Sequence, residues 1–190
     1  FTTRDELLLG KIIPKPFEPN PITEWGVKYE DVAIQFYEEL YNVNVLDFGL
    51  IPHPTFKAFG ASPDGICEDT GNLEYIGRMV EIKCPPKRKF TKTVPGHYLM
   101  QVLGQLEVCN LEWCHFEECG ISEYDTEEDF IIDANQEGQE YLTFDNKNKG
   151  IVVVGCEDNL NKLIYYYSEI TLTYDQLKIW TDQKINEICD

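Results

Sequence analysis

Two charged side chains, Glu81 and Lys83, lie two positions apart on a predicted apolar strand. The carboxylate could bind a metal ion, with the ammonium group of the lysine beside it. The stretch 79–84 reads Met-Val-Glu-Ile-Lys-Cys, and successive side chains of a strand point to opposite faces. Val80 and Ile82 would therefore face a core, whereas Glu81 and Lys83 would lie together on the other face. Charged side chains are rarely buried without a partner or a task, so this pair is the first candidate for a functional site.

Asp64 is a second carboxylate that the fold could bring to the same place. It lies in the segment 60–65, Gly-Ala-Ser-Pro-Asp-Gly, and the following Glu-Asp-Thr-Gly-Asn of residues 68–72 reads as a hairpin turn. Such a hairpin would place Asp64 alongside Glu81. Two carboxylates supply the oxygen ligands that hard divalent cations prefer, and Lys83 would stand next to that cation.

The elements that position these residues can be predicted from periodicity and breakers. Four prolines make residues 14–21 an extended loop, and the acidic segment 123–140 is ambiguous. Helices are predicted over 1–12, 23–41, 97–109 and 173–189, and strands over 43–49, 56–60, 66–68, 79–84, 113–117, 151–155 and 163–167. This order predicts an α/β fold with a central mixed β-sheet flanked by helices.

The predicted helix 23–41 carries a carboxylate on its apolar stripe. Spacings of three and four residues place Val27, Glu30, Ala33, Ile34 and Tyr37 on one face. Glu30 is either a boundary residue whose carboxylate reaches water or a member of the site that contains Asp64.

Length and composition limit the class of protein. The chain has 190 residues, of which 43% are hydrophobic and 13% aromatic, which indicates one globular domain with a sizeable core. No apolar run is long enough to cross a membrane. The chain begins with Phe1 and has no signal-peptide pattern, so we expect a further N-terminal segment in the full protein and an intracellular location. Seven irregularly spaced cysteines without a Cys-x-x-Cys pair are interpreted as reduced core thiols.

The motif residues resemble those of a known superfamily. Asp64, Glu81 and Lys83 are similar to the signature of the PD-(D/E)XK nucleases, and Ser62-Pro63-Asp64-Gly65 resembles the form of that signature in lambda-exonuclease/YqaJ-type viral recombinases. Two further segments agree with this branch. Residues 25–33 resemble its W-G-x-x-x-E helix, and residues 98–106 resemble its Tyr/Gln helix. The resemblance therefore covers about residues 22–120 and implies a PD-(D/E)XK core.

The chemistry implied by the resemblance is hydrolysis of DNA phosphodiester bonds with Mg²⁺, which Mn²⁺ can replace, in a site for two ions. The expected metal ligands are Glu30, Asp64, Glu81 and the backbone carbonyl of Ile82, since Mg²⁺ retains several waters. Lys83 could orient or deprotonate the attacking water, or neutralise the phosphate. These roles stay open. The resemblance adds Gln101 to the catalytic residues.

A second set of residues is assigned to the substrate, namely Ser62, Tyr98, Gln105, Lys87, Arg88 and Lys89. Five of the sixteen basic residues lie between Lys83 and Lys92, while the net charge is −18 and residues 93–146 contain no Lys or Arg. A strongly acidic chain argues against general nucleic-acid binding. The basic strip is either a solvated loop or a phosphate-binding loop, and an acidic surround would confine DNA to one groove.

The resemblance implies a 5′→3′ exonuclease that acts on duplex DNA ends in viral or phage recombination or repair, in the cytoplasm, the nucleus or a viral replication site. Its implied partners are a single-strand annealing protein and further copies of the chain. Two alternatives remain. One is an endonuclease of the same fold that acts on branched DNA or on RNA, and the other is an acidic interaction module without catalytic activity.

Overall fold

The computed structural model describes residues 3–13, 20–87, 89–134, 141–157 and 162–189. Its helices are Arg4–Ile12 (α1), Pro21–Tyr41 (α2), Gly96–Cys109 (α3), Glu127–Ile132 (α4) and Tyr174–Cys189 (α5). Its strands are Val45–Leu46 (β1), Ile51–Pro52 (β2), Gly60–Ala61 (β3), Gly65–Cys67 (β4), Met79–Lys83 (β5), Cys114–Glu118 (β6), Val152–Glu157 (β7) and Lys162–Tyr167 (β8). Most of the predicted proline-rich loop lies outside the described residues.

Four strands form the central sheet in the order β1-β4-β5-β6. β4 pairs antiparallel with β1 and β5, whereas β5 pairs in parallel with β6. The sheet is therefore mixed, and the predicted α/β fold with a central mixed sheet and flanking helices is confirmed. Parallel neighbours need a crossover connection, which α3 supplies between β5 and β6.

Strand β5 is buried on both faces. Val80 and Ile82 belong to a buried cluster with Tyr29, Ala33 and Tyr37 of α2, which confirms that these two strand residues face a core. On the opposite face, α3 lies over Glu81, whose side chain is fully buried. The strand thus separates an apolar layer under α2 from a polar layer under α3.

Helix α2 begins earlier and faces the sheet differently than predicted. The side chain of Asn20 accepts hydrogen bonds from the backbone N–H groups of Ile22 and Thr23, at 3.0 and 2.9 Å, so that Pro21 opens the helix. The prediction that Val27 lies on the inward face is wrong, because Val27 is 58% exposed. The buried stripe is Tyr29, Ala33 and Tyr37, and Glu30 is half-buried at its border.

The predicted strand 56–60 and the predicted hairpin turn 68–72 are corrected. Only Gly60 of the first segment lies in a strand, because the buried His53 ring closes a turn before it. Its Nδ1 accepts hydrogen bonds from the backbone N–H groups of Thr55 and Phe56, at 3.1 and 3.2 Å. The connection from β4 to β5 is longer than a hairpin turn and contains a 3-10 turn at Leu73–Tyr75.

The C-terminal part adds a β7–β8 hairpin and α5, and both predicted strands and the predicted helix are present. Part of the ambiguous segment forms α4, and buried Lys149 donates to the carbonyl oxygens of Phe130 and Asp133 at its end. The seven cysteines are free thiols, but only Cys67 and Cys84 are buried. The prediction of core thiols is therefore wrong for Cys156 in β7 and Cys189 in α5, which are exposed. No helix in the described ranges is long and apolar enough to span a membrane.

Gly65, which follows Asp64 directly, is expected not to tolerate a side chain. A Cβ atom there would lie 2.1 Å from Cγ1 of Val45 on β1, and valine has few alternative rotamers. We expect Gly65→Ala to lower the free energy of unfolding by about 1–3 kcal/mol in urea denaturation. Gly26→Ala is the matched control, because nothing lies within 4 Å of its added Cβ. It should gain roughly 0.5–1 kcal/mol from helix propensity. An equal effect of both changes would contradict this account.

Candidate active site

Glu81 is the centre of the candidate site, and its carboxylate is held from three sides. Gln101 Nε2 donates to its Oε1 at 2.6 Å, and Gln105 Nε2 donates to its Oε2 at 2.8 Å. Lys83 Nζ also contacts Oε1. The two glutamines lie one turn apart on α3, so they present their amides to the same strand. A fully buried carboxylate requires such partners, since an unpaired buried charge costs several kcal/mol.

Asp64 lies beside Glu81 because β4 and β5 are antiparallel, with Gly65 opposite Val80. Its Oδ2 accepts a hydrogen bond from the backbone N–H of Ile82 at 2.6 Å. The carboxylate is thereby fixed directly before the start of β4. The predicted proximity of Asp64 and Glu81 is therefore present, although a longer connection than a hairpin turn produces it.

Lys83 brings its ammonium group close to both carboxylates. Its Nζ contacts Glu81 and lies 3.9 Å from Asp64 Oδ2, and the lysine side chain is 20% exposed. The same Nζ lies 5.4 Å from the centre of the Tyr98 ring, within the range of a cation–π contact. Lys83 therefore links the buried carboxylates to the surface of the site.

The acids of the site repel one another. Burial, followed by the negative charge of Asp64, raises the pKa of Glu30 to about 7. Burial and the charge of Glu81 raise the pKa of Asp64 to about 6, against the opposing effects of the Ile82 hydrogen bond and the Lys83 charge. Each ionised carboxylate thus raises the free energy needed to ionise its neighbour. A divalent cation among them would relieve this repulsion.

The donors present fit a hard divalent cation. Mg²⁺ sites commonly use one or two carboxylates together with waters and substrate phosphates, and Asp64 and Glu81 provide two carboxylates at one place. Among the residues that the structure describes, no three His, Cys, Asp or Glu side chains form a ready-made metal cluster. The negative charges of Asp64 and Glu81 contribute to the raised pKa of Glu30. The ligand roles of Asp64, Glu81, Glu30 and the Ile82 carbonyl remain predictions.

The residues assigned to the substrate fall into different environments. Gln105 is 4% exposed and also donates to the backbone carbonyl of Ser62 at 3.2 Å. Its amide thus contacts both Glu81 and the Ser62 backbone, and its assignment as a substrate-binding residue stays a prediction. Lys87 and Lys89 are exposed in the loop after β5, and Arg88 lies outside the described residues.

Phe116 on β6 was not singled out from the sequence. It pairs in register with Glu81, and its ring centre lies 5.5 Å from that of Tyr98. Alternation along β6 predicts that Phe116 and Glu118 share a face. Only the parallel pairing of β5 and β6 shows that this face carries Glu81.

A mixed sheet whose central strand carries Glu81 and Lys83 beside Asp64 has the features expected of the PD-(D/E)XK class. The family model of the YqaJ-like viral recombinase domain matches residues 5–112. The chain belongs to this family.

Individual relatives were also found. The chain is 33% identical over 192 residues to the uncharacterized protein R354 of Acanthamoeba polyphaga mimivirus, in a match that covers 90% of this chain and 35% of that protein. The chain thus spans about a third of the length of this curated relative. Among solved structures, it is similar to the alkaline exonuclease LHK-Exo from Laribacter hongkongensis, with 20% identity, a TM-score of 0.45 and coverage of 97% of this chain and 73% of that one. The complex of LHK-Exo with dAMP gives 21% identity, a TM-score of 0.46 and coverage of 97% and 75%.

The raised pKa of Glu30 predicts that the site destabilises the metal-free protein at high pH. A carboxyl group whose pKa is raised on folding stabilises the fold at low pH, and this contribution is lost as the pH rises through its folded-state value. Between about pH 4.5 and 7 the metal-free protein should therefore lose stability from Glu30. We expect Glu30→Gln to raise the melting temperature in EDTA by about 2–6 °C at pH 8 and by much less at pH 5.

Glu39→Gln on the exposed side of the same helix is the control for this measurement. It should change the melting temperature little at either pH, because surface substitutions away from special contacts have small effects. A gain for Glu30→Gln of equal size at both pH values would contradict the assigned repulsion.

Proposed function

We propose that the chain is a metal-dependent deoxyribonuclease that hydrolyses phosphodiester bonds, and that it acts as a 5′→3′ exonuclease on duplex ends. The observation that carries the proposal is the buried Glu81 carboxylate, which lies beside Asp64 and in contact with Lys83. A fully buried carboxylate beside a partly buried one is a costly arrangement for a purely structural role, even with the Lys83 ammonium group in contact. Membership of a viral recombinase family supports a role in recombination or repair.

The proposed division of labour follows from the contacts. Gln101 and Gln105 hold the Glu81 carboxylate, and the Ile82 N–H fixes Asp64, so the two acids are positioned before substrate arrives. Mg²⁺ bound to these oxygens would supply an activated water and would stabilise the charge on the phosphate. Lys83 contacts the acids from the open side, where its ammonium group can orient the water or bind a phosphate oxygen.

The decisive test is digestion of a 5′-phosphorylated linear duplex compared with the same DNA as a closed circle. We expect Mg²⁺ or Mn²⁺ to support degradation of the linear form alone, and chelation with EDTA to abolish it until metal is restored. Cleavage of the circle would instead favour the endonuclease alternative. Measurement of metal binding by calorimetry, with Asp64→Ala as the control, separates the exonuclease and endonuclease alternatives from an inactive module. An inactive module would bind no metal. The predicted annealing partner and self-association belong to the same proposal and need separate binding measurements.

A further inference from the structure

An open cavity of about 270 Å³ lies beside the candidate site. Its lining residues come from the loop before α3 and from β6, and they are Phe90, Thr91, Lys92, Val94, Phe116 and Glu118. Phe90 is one of these lining residues and is 48% exposed. Its ring packs against the backbone at Gly120, where an added Cβ would lie 3.0 Å from Phe90 Cε2. The exposed ring is therefore supported from behind.

One residue of the cavity lining connects the cavity to the candidate catalytic residues. Phe116, which lines it, pairs with Glu81 in the sheet and lies 5.5 Å, ring centre to ring centre, from Tyr98. The Tyr98 ring in turn lies 5.4 Å from Lys83 Nζ. A row of aromatic rings thus leads from the ammonium group that faces the site to the cavity.

Basic residues in the segment that leads to the cavity attract an anionic ligand, although the acidic Glu118 also lines the cavity. The chain has a net charge of −18, yet Lys92 lines the cavity, and Lys87 and Lys89 are exposed in the segment that leads to it. A local basic strip in an acidic protein attracts a phosphate chain to that strip alone. The aromatic residues of the lining, Phe90 and Phe116, can then contact a group attached to that phosphate chain.

We propose that this cavity binds one unstacked nucleobase of the DNA strand whose phosphate lies at Lys83. The inference rests on the proposed function and adds a base-binding subsite to it. A volume of about 270 Å³ is smaller than the roughly 300–1,000 Å³ typical of pockets for drug-sized ligands, and it suits a single planar ring system. Aromatic faces bind any base by stacking. We therefore expect DNA with any of the four bases at this position to bind equally well, and DNA that lacks the base there to bind more weakly.

The test moves a single abasic nucleotide along a linear duplex and measures kcat and KM at each position. For the parent protein, we expect one position at which loss of the base raises KM by about tenfold, as stacking on one aromatic residue would give. The Phe90→Ala protein should show a similarly raised KM for intact DNA, and removal of the base at that position should raise its KM no further. Phe90→Trp should retain it. Phe144→Ala, which removes a ring that is 78% exposed outside the cavity lining, should behave as the parent.

The outcomes separate the subsite from the nuclease activity. An equal abasic penalty in the parent and in Phe90→Ala at every position, or no penalty in the parent, would overturn the subsite while leaving the nuclease proposal intact. If the parent cleaves no DNA, binding of a single-stranded oligonucleotide that contains 2-aminopurine tests the subsite alone. Stacking should quench its fluorescence with the parent and less with Phe90→Ala. Equal quenching, or no binding, would overturn the subsite.

Discussion

Glu81→Gln is expected to reduce kcat for DNA cleavage by about 1,000-fold or more while the protein stays folded. The change keeps the shape of the side chain and removes the negative charge that would hold the cation. Loss of a metal ligand removes both the activated water and the charge stabilisation that the metal supplies, and loss of one electrostatic contact alone costs roughly 10²–10³ in kcat. Digestion of linear duplex in saturating Mg²⁺, with calorimetric titration of the metal, measures both effects.

The fold must be followed in the same variant, because Gln101 and Gln105 both donate to Glu81. The new amide places an N–H₂ group where the neighbouring side chains are also donors. One of the two α3 glutamines must therefore rotate its amide so that its oxygen accepts from the new N–H₂ group. An unsatisfied buried donor costs about 1–3 kcal/mol, so we expect a modest loss of stability in urea. Glu74→Gln in the exposed 3-10 turn is the control and should match the parent in activity. Near-parental cleavage by Glu81→Gln would remove Glu81 from the catalytic residues.

The sequence predicts the strand residues of the site well, because alternation along β5 is a local property. It separates Val80 and Ile82 from Glu81 and Lys83, and the antiparallel return of β4 is enough to bring Asp64 alongside. The burial of Glu81 is different. It depends on α3 docking over that face with two glutamines, and no local pattern contains the docking angle of a helix.

The errors also have tertiary causes. Val27 shares a helical stripe with Ala33, yet the sheet contacts the stripe that begins at Tyr29, so Val27 is left exposed. His53 reads as an isolated polar residue in the sequence, although its ring organises the turn that replaces a predicted strand. Phe116 becomes part of the site only through the register of β6 with β5, which arises from pairing across a long crossover.

Lys83→Met is expected to separate the two roles that the structure allows for this lysine. The ammonium group contacts Glu81 and lies near Asp64, so in the metal-free protein it compensates part of their negative charge. Its removal should lower kcat by roughly 10²–10⁴-fold, the range for a group that moves a proton or stabilises the transition state.

The same substitution should not weaken Mg²⁺ binding, because the carboxylates then have one cation fewer to compensate them. We expect the Mg²⁺ concentration for half-maximal binding to stay the same or fall, whereas Glu81→Gln should raise it. Lys178→Met on α5, which removes a lysine from the Tyr174 ring, is the matched control and should change neither quantity. A Lys83→Met protein with weakened metal binding and unchanged kcat at saturating metal would mean that the lysine only organises the acids. Retained metal binding with lost turnover would assign it to the water or the phosphate, which is the role that its position between the carboxylates and the open side of the site favours.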